Sequence, residues 1–193
     1  CERGAGALRP SGETGQPGGE PLWPPFICQT RERVTSSHSF SVQHRVMLTA
    51  DALAQQLDGL VHLDTQRAPN GLDLTVDAIH RTTGPGDLDF GGGEFEPAPR
   101  DRLAPVLDAP EDQYGWWTLE EGAYVIRYNE SLTLADGQQA RIYPLERTLH
   151  AGAHHGTFVL DEGRDPIETL LVVSRMGCRL KENCRVSRLV VSE

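Results

Sequence analysis

Residues 71–79 read GLDLTVDAI, and their alternation decides the fold class. Leu72, Leu74 and Val76 alternate with Asp73, Thr75 and Asp77, the period of two expected of a half-buried strand. Outward from this stretch, AYVIRYNE, ARIYPLE, GTFVLD, ETLLVVS and CRVSRLVVS are further short, β-rich runs. TGPGD, FGGGE, ADGQ and DEGRDP separate them with turn-forming residues. Short strands at such spacing predict a compact all-β sandwich or barrel. One segment departs from this texture. LTADALAQQLDGLV, residues 48–61, spaces Leu48, Leu53, Leu57 and Leu60 as one short amphipathic helix, with Thr49 as N-cap and Gly59 near its end.

The chain of 193 residues is long enough for one domain with a sizeable core. Residues 1–46 are of another kind, with SGETGQPGGEPLWPP rich in Gly, Pro and Ser and without periodicity. Such a segment buries too little apolar area to offset its ordering entropy. It reads as a disordered tail or, the reading favoured here, as an artefactual extension of a domain at residues 47–193 that starts at Met47. No apolar run is long enough to cross a membrane, and the N-terminus lacks the pattern of a secretory signal, so a cytoplasmic protein is expected. The 28 acidic residues against 18 basic ones give a net charge of -10, which argues against a nucleic-acid surface. It leaves room for a nucleotide, because a few local cations suffice to hold phosphates. Lys181 is the only lysine. Cys178 and Cys184 have no second pair to complete a tetrahedral zinc site, and with Cys1 and Cys28 they are read as free thiols. There is no P-loop and no dinucleotide fingerprint.

Four stretches in order carry a resemblance: APNGLDLTVD (68–77), EEGAYVIRYNE (120–130), GTFVLDEG (156–163) and NCRVSRLVV (183–191). Together they resemble the dCTP deaminase and dUTPase superfamily, closest to archaeal-type dUTPases, over about residues 47–193. The resemblance implies a distorted β jelly roll, a homotrimer with active sites between subunits, and hydrolysis of dUTP to dUMP and pyrophosphate with Mg2+. Asp161 matches the aspartate that orients and deprotonates the attacking water, a role that phosphoanhydride hydrolysis requires. Asp73 matches the aspartate that supports the magnesium–water network. Gly152 and Thr157 fall where the family has nucleoside-facing backbone, and Arg185 matches the arginine of the closing strand.

Three departures accompany the resemblance. Where the family reads P-R-S-S-L for its phosphate-binding stretch, this chain has Pro144-Leu145-Glu146-Arg147-Thr148. Leucine replaces the arginine, glutamate a serine, and Arg147 stands two positions on as the phosphate contact. Arg164 replaces the aromatic ring that packs under the deoxyribose, and Arg188 replaces a glutamine, offering a further phosphate contact. Deamination of dCTP, the family's other activity, needs a glutamate where this chain has Val172, with Glu168 about four residues away along a strand. It ranks below hydrolysis. A degenerate member that binds a nucleotide as a sensor is the other alternative.

Each feature also has a plainer reading. His150, His154 and His155 raise the question of zinc, but adjacent His154 and His155 in a strand point to opposite faces and no third ligand is offered. They are read as pocket-lining or loop residues. Trp116 and Trp117 are read as core or trimer-interface aromatics, and Asp161 doubles as a turn-former at a strand end. Arg185 and Arg188, three apart, are expected on opposite strand faces, so that one meets phosphates and the other an exposed salt bridge.

Overall fold

The computed structural model describes residues 46–193. The leader read at residues 1–46 thus lies, but for Val46, outside the described residues. In chain order the first elements are α1 (Ala50–Ala54), β1 (Leu57–Asp58), α2 (Leu63–Gln66), β2 (Arg67–Ala68), β3 (Gly71–Thr82), β4 (Arg100–Leu103), β5 (Trp116–Leu119) and β6 (Gly122–Tyr128). There follow β7 (Ser131–Leu132), β8 (Gln139–Pro144), α3 (Glu146–His150), β9 (Ala153–His154), β10 (Phe158–Leu160), β11 (Glu168–Val173), β12 (Cys178–Lys181) and β13 (Arg185–Ser192). The all-β expectation holds.

The main sheet is antiparallel, in the order β10-β8-β13-β3-β6-β11-β9, with β2 and β4 paired to the two ends of β3. Seven strands laid flat would separate the outer two by about 29 Å. Yet β9 and β10 are joined by residues 155–157 alone, a tether that spans at most about 14 Å. The sheet must curl until its edges approach, and it forms a half-barrel around Leu72, Leu74, Ile79, Ile126, Ile142 and Leu189, none of them exposed. Two small ribbons, β1 with β7 and β5 with β12, complete it.

The founding stretch is buried more deeply than its alternation predicts. Gly71–Val76 is buried on both faces, Asp73 and Thr75 included, so the polar side of β3 is a hydrogen-bonded interior layer and not a solvent face. Gly71 makes the entry possible: its φ is +149° and a Cβ there would lie 2.0 Å from the Leu189 carbonyl oxygen. The single helix expected over residues 48–61 is corrected to something shorter. Thr49 does cap α1, its hydroxyl accepting from the Ala52 N–H at 3.3 Å, but the helix ends at Ala54. Leu57 pairs with Leu132 in a strand ladder, and Gly59, at φ +78°, lets the Asn129 carbonyl come close. Apolar spacing alone did not separate a helix from a helix followed by a buried strand.

Candidate functional site

Asp73 is the third residue of β3, with its side chain 6% exposed. Arg188 Nε donates to its Oδ1 at 2.9 Å and Arg185 Nη1 to its Oδ2 at 3.3 Å. The expectation that these arginines face opposite ways is therefore wrong. Arg185 opposes Thr75, Ser187 opposes Leu74 and Arg188 opposes Asp73, so two residues of β13 face one of β3. This is a bulge, and the extra residue brings Arg188 back to the face of Arg185. Arg185 is further held by the Thr65 carbonyl at 2.5 Å, and its own carbonyl accepts from Arg147 Nε at 3.0 Å. Arg185 and Arg188 thus meet on one carboxylate, and Arg147 joins them through the Arg185 backbone. Arg147 and Arg185 line two neighbouring cavities of about 210 and 230 Å³.

The bulge is fixed from behind. His155 Nδ1 donates to the Gly156 carbonyl at 2.8 Å, which leaves Nε2 to accept from the Ser187 hydroxyl at 2.7 Å. The Ser187 oxygen accepts in turn from the Tyr128 hydroxyl at 2.5 Å. All three are buried; burial lowers the pKa of His155 and pushes up that of Tyr128. Glu130 forms a second layer, accepting from Gln66 Nε2 at 2.7 Å, the Thr75 N–H at 2.9 Å and the Thr75 hydroxyl at 2.6 Å. Burial raises its pKa against the pull of those bonds. It ties α2 and β3 together beneath the arginines. Neither layer was found in the sequence: Glu130 and Ser187 lie inside stretches that carry the resemblance, but no local pattern gives them a role, and their partners are met only through the fold.

Asp161 lies elsewhere in the chain. It follows β10, exposed, and its Oδ1 accepts from Gln139 Nε2 at 2.8 Å; the Gln139 Oε1 accepts from Arg141 at 3.1 Å, which orients the amide. Gln139 and Arg141 share one face of β8 as i and i+2, a weak signal that the sequence did offer. On β8, Tyr143 is the partner of Arg188 whereas Asp161 sits at Gln139, which is ~13 Å along the strand and two strands across. One chain does not bring Asp161 to the arginines. Arg164 is exposed in the same turn, its backbone bonded to Leu132 in both directions at 2.9 and 3.2 Å. Gly163 allows that approach, since a Cβ there would lie 2.7 Å from the Leu132 oxygen.

Thr157 is exposed just before β10. Gly152, expected to read a nucleobase by its backbone, has both groups committed: its N–H donates to Leu149 and its carbonyl accepts from Ser174 at 2.8 Å. Its φ of +89° makes it the hinge from α3 to β9. Glu146 does not line the arginine cavities; its exposed side chain lies 3.9 Å from His150 across one turn of α3. Glu168 is bound by Arg100 at 2.8 Å, and Val172 is exposed beside His154. His154 is exposed and His155 buried, and no group of three or more metal-capable side chains occurs among the described residues. As a metal ligand Asp73 does not fit: both of its oxygens are occupied by guanidinium groups, whose charge opposes a dication.

No family model matches the chain. The 2'-deoxycytidine 5'-triphosphate deaminase of Agrobacterium tumefaciens shares its fold, with a TM-score of 0.54 at 19% identity over 77% of this chain and 46% of that one. The half-barrel is thereby of the class that dCTP deaminases and dUTPases adopt. Sequence relatives narrow the class. A probable deoxyuridine 5'-triphosphate nucleotidohydrolase of Methanosarcina mazei is 34% identical over 139 residues, 69% of this chain and 76% of the relative. Proteins of the same description from Aeropyrum pernix and Halobacterium salinarum are each 32% identical, over 64% and 67% of this chain and 74% and 76% of their own lengths. The chain belongs to the deoxyuridine 5'-triphosphate nucleotidohydrolase family.

Proposed function

We propose that this protein hydrolyses dUTP to dUMP and pyrophosphate at a site completed between copies of the chain. The observation that carries the reading is the convergence of Arg185 and Arg188 on Asp73, with Arg147 bonded to the Arg185 backbone, in a family member whose net charge is -10. Asp73 is the anchor that aims two of those guanidiniums. They neutralise the charge that develops on the phosphates as the bond between the α-phosphorus and the bridging oxygen breaks. Asp161, oriented by Gln139 and Arg141, takes the proton of the attacking water. Since it lies too far from its own arginines, it serves those of a neighbouring copy. Asp73, with both oxygens engaged by arginines, would not hold magnesium; the substrate's own phosphate oxygens would hold it, and it would supply further charge neutralisation there.

Association is supported by the outer face of β11, where Leu170 (51% exposed) and Val172 (39%) stand beside the 59% exposed Leu149. Apolar side chains clustered in this way mark an interaction surface, here for the other copies of a homotrimer. Deamination has little support, because Val172 moves no proton and Glu168 is engaged by Arg100.

The test is pyrophosphate release from each deoxynucleoside triphosphate with magnesium, beside an Asp161→Asn variant. Release from dUTP, lowered by the substitution at least 100-fold, is expected. Ammonia release from dCTP would move the reading to deamination, and a folded assembly that turns over no nucleotide would make the protein a binding member of the family.

A further inference from the structure

The family's phosphate arginine is replaced here by Leu145, yet the chain holds cations that the sequence reading did not assign. Between the β5–β12 ribbon and α3 lies the cavity of about 210 Å³, lined by Trp116, Arg147, Thr148, Arg179, Lys181 and Arg185 among others. Trp116 pairs with Lys181 across the ribbon, and Arg179, two residues along, shares that face. The Arg179 guanidinium stands 4.7 Å from the indole centre and the Lys181 ammonium 5.3 Å from it. The other tryptophan, Trp117, is in the core, its indole N–H donating to the Leu103 carbonyl at 3.1 Å. Trp116 is the cavity wall.

The charges in this cavity do not cancel. Arg179 is neutralised by Asp108, which it meets at 2.7 and 3.0 Å. Arg185 shares the single charge of Asp73 with Arg188. Neither Arg147 nor Lys181 has a carboxylate within 4.0 Å among the described residues. Glu182, next in sequence to Lys181, is turned away to accept from the Gly115 N–H at 2.6 Å. The charges of Arg147 and Lys181 and part of that of Arg185 are therefore left together, in a chain that is strongly acidic as a whole. Cations so placed repel one another unless an anion joins them. The cavity is smaller than the roughly 300–1,000 Å³ that whole small ligands occupy, which suits a phosphate chain and leaves the nucleoside outside.

We propose that this cleft is a polyphosphate site in which Lys181 and Arg147, supported by Arg179 and Arg185, replace the arginine lost at Leu145. It deepens the hydrolase reading, and rests on it for the source of the polyphosphate, but it is tested without turnover. The phosphates lie against the ribbon, among the Arg147 and Arg185 guanidiniums and the Lys181 ammonium, with Trp116 as the wall against which Arg179 and Lys181 are packed. Arg179 is held ready by Asp108 as a directional donor, whereas Lys181 supplies a point charge.

The probe is inorganic tripolyphosphate, titrated into the full chain with and without magnesium and followed by tryptophan emission and calorimetry. Saturable binding that perturbs emission is expected, weakened about tenfold in Lys181→Gln and in Arg147→Gln. Trp116→Phe should bind within about threefold of the parent but lose the change in emission. Arg81→Gln, on the far end of β3, should bind as the parent does. Unaltered affinity in both cleft variants, an equal loss in Arg81→Gln, or no saturable binding would each overturn the site. The two readings separate cleanly. Tripolyphosphate bound at the cleft by a protein that hydrolyses no dUTP would leave the site standing without the hydrolase. Hydrolysis of dUTP with an unchanged KM in Lys181→Gln would leave the hydrolase without this site.

Discussion

Asp73 is asked to hold two guanidiniums while shielded from water, and removing its charge leaves both without a counter-ion. Asp73→Asn is expected to destabilise the fold by about 3 kcal/mol, the usual cost of breaking a buried pair, read as a lowered midpoint in urea. Glu130 is held by three donors, so Glu130→Gln places an amide N–H against another donor and should cost about 2 kcal/mol in the same assay. His155 gives the chain a pH dependence of definite sign. Its folded pKa lies below the 6.5 of the unfolded chain because burial disfavours the imidazolium. Below that pH the unfolded state binds the extra proton, so stability falls on acidification and is insensitive to this group above it. Thermal midpoints measured from pH 7.5 to pH 5 should decline, and His155→Gln should flatten part of the slope. His80, lowered by burial in the same way, adds to the slope, and the raised carboxyl of Glu130 works against it.

At the level of elements, β13 decides what the site looks like. A regular strand would send Arg185 and Arg188 to opposite faces; the bulge sends both to Asp73. Ser187 pins it, and Ser187→Ala, which removes the link between Tyr128 and His155, should lower kcat/KM for dUTP about tenfold. Circular dichroism of that variant should stay that of a folded β protein. The alternation of Leu72, Leu74 and Val76 made β3 legible, and with it the all-β class, since burial follows the pleat. The turn at Asp161 and the arginines at 147, 185 and 188 were legible too. The bulge was not, because CRVSRLVV alternates as well with it as without it. α3 was hidden because Leu145 offers no capping side chain and PLERT extends an apparent strand. The cleft cations escaped for a further reason: Trp116 and Lys181 are neighbours only by cross-strand register, over a separation that no local pattern encodes.

For the whole molecule, the proposed function makes activity a property of an assembly, because Asp161 stands apart from the arginines of its own chain. Light scattering should report three times the 21.2 kDa of one chain. Leu170→Asp, which sets a charge on the exposed face of β11, should shift the protein towards single chains and abolish dUTP turnover, with the far-UV spectrum kept. If single chains remained fully active, the division of the site between copies would be wrong.

Lys181 gives the proposed assembly an internal ruler. With every other cation of the chain an arginine, a reagent that joins primary amines meets one side chain per copy besides the terminal amino group. Any bridge between side chains must then run from Lys181 of one copy to Lys181 of another. Varying the spacer length of such a cross-linker measures directly how far apart the clefts of neighbouring copies stand.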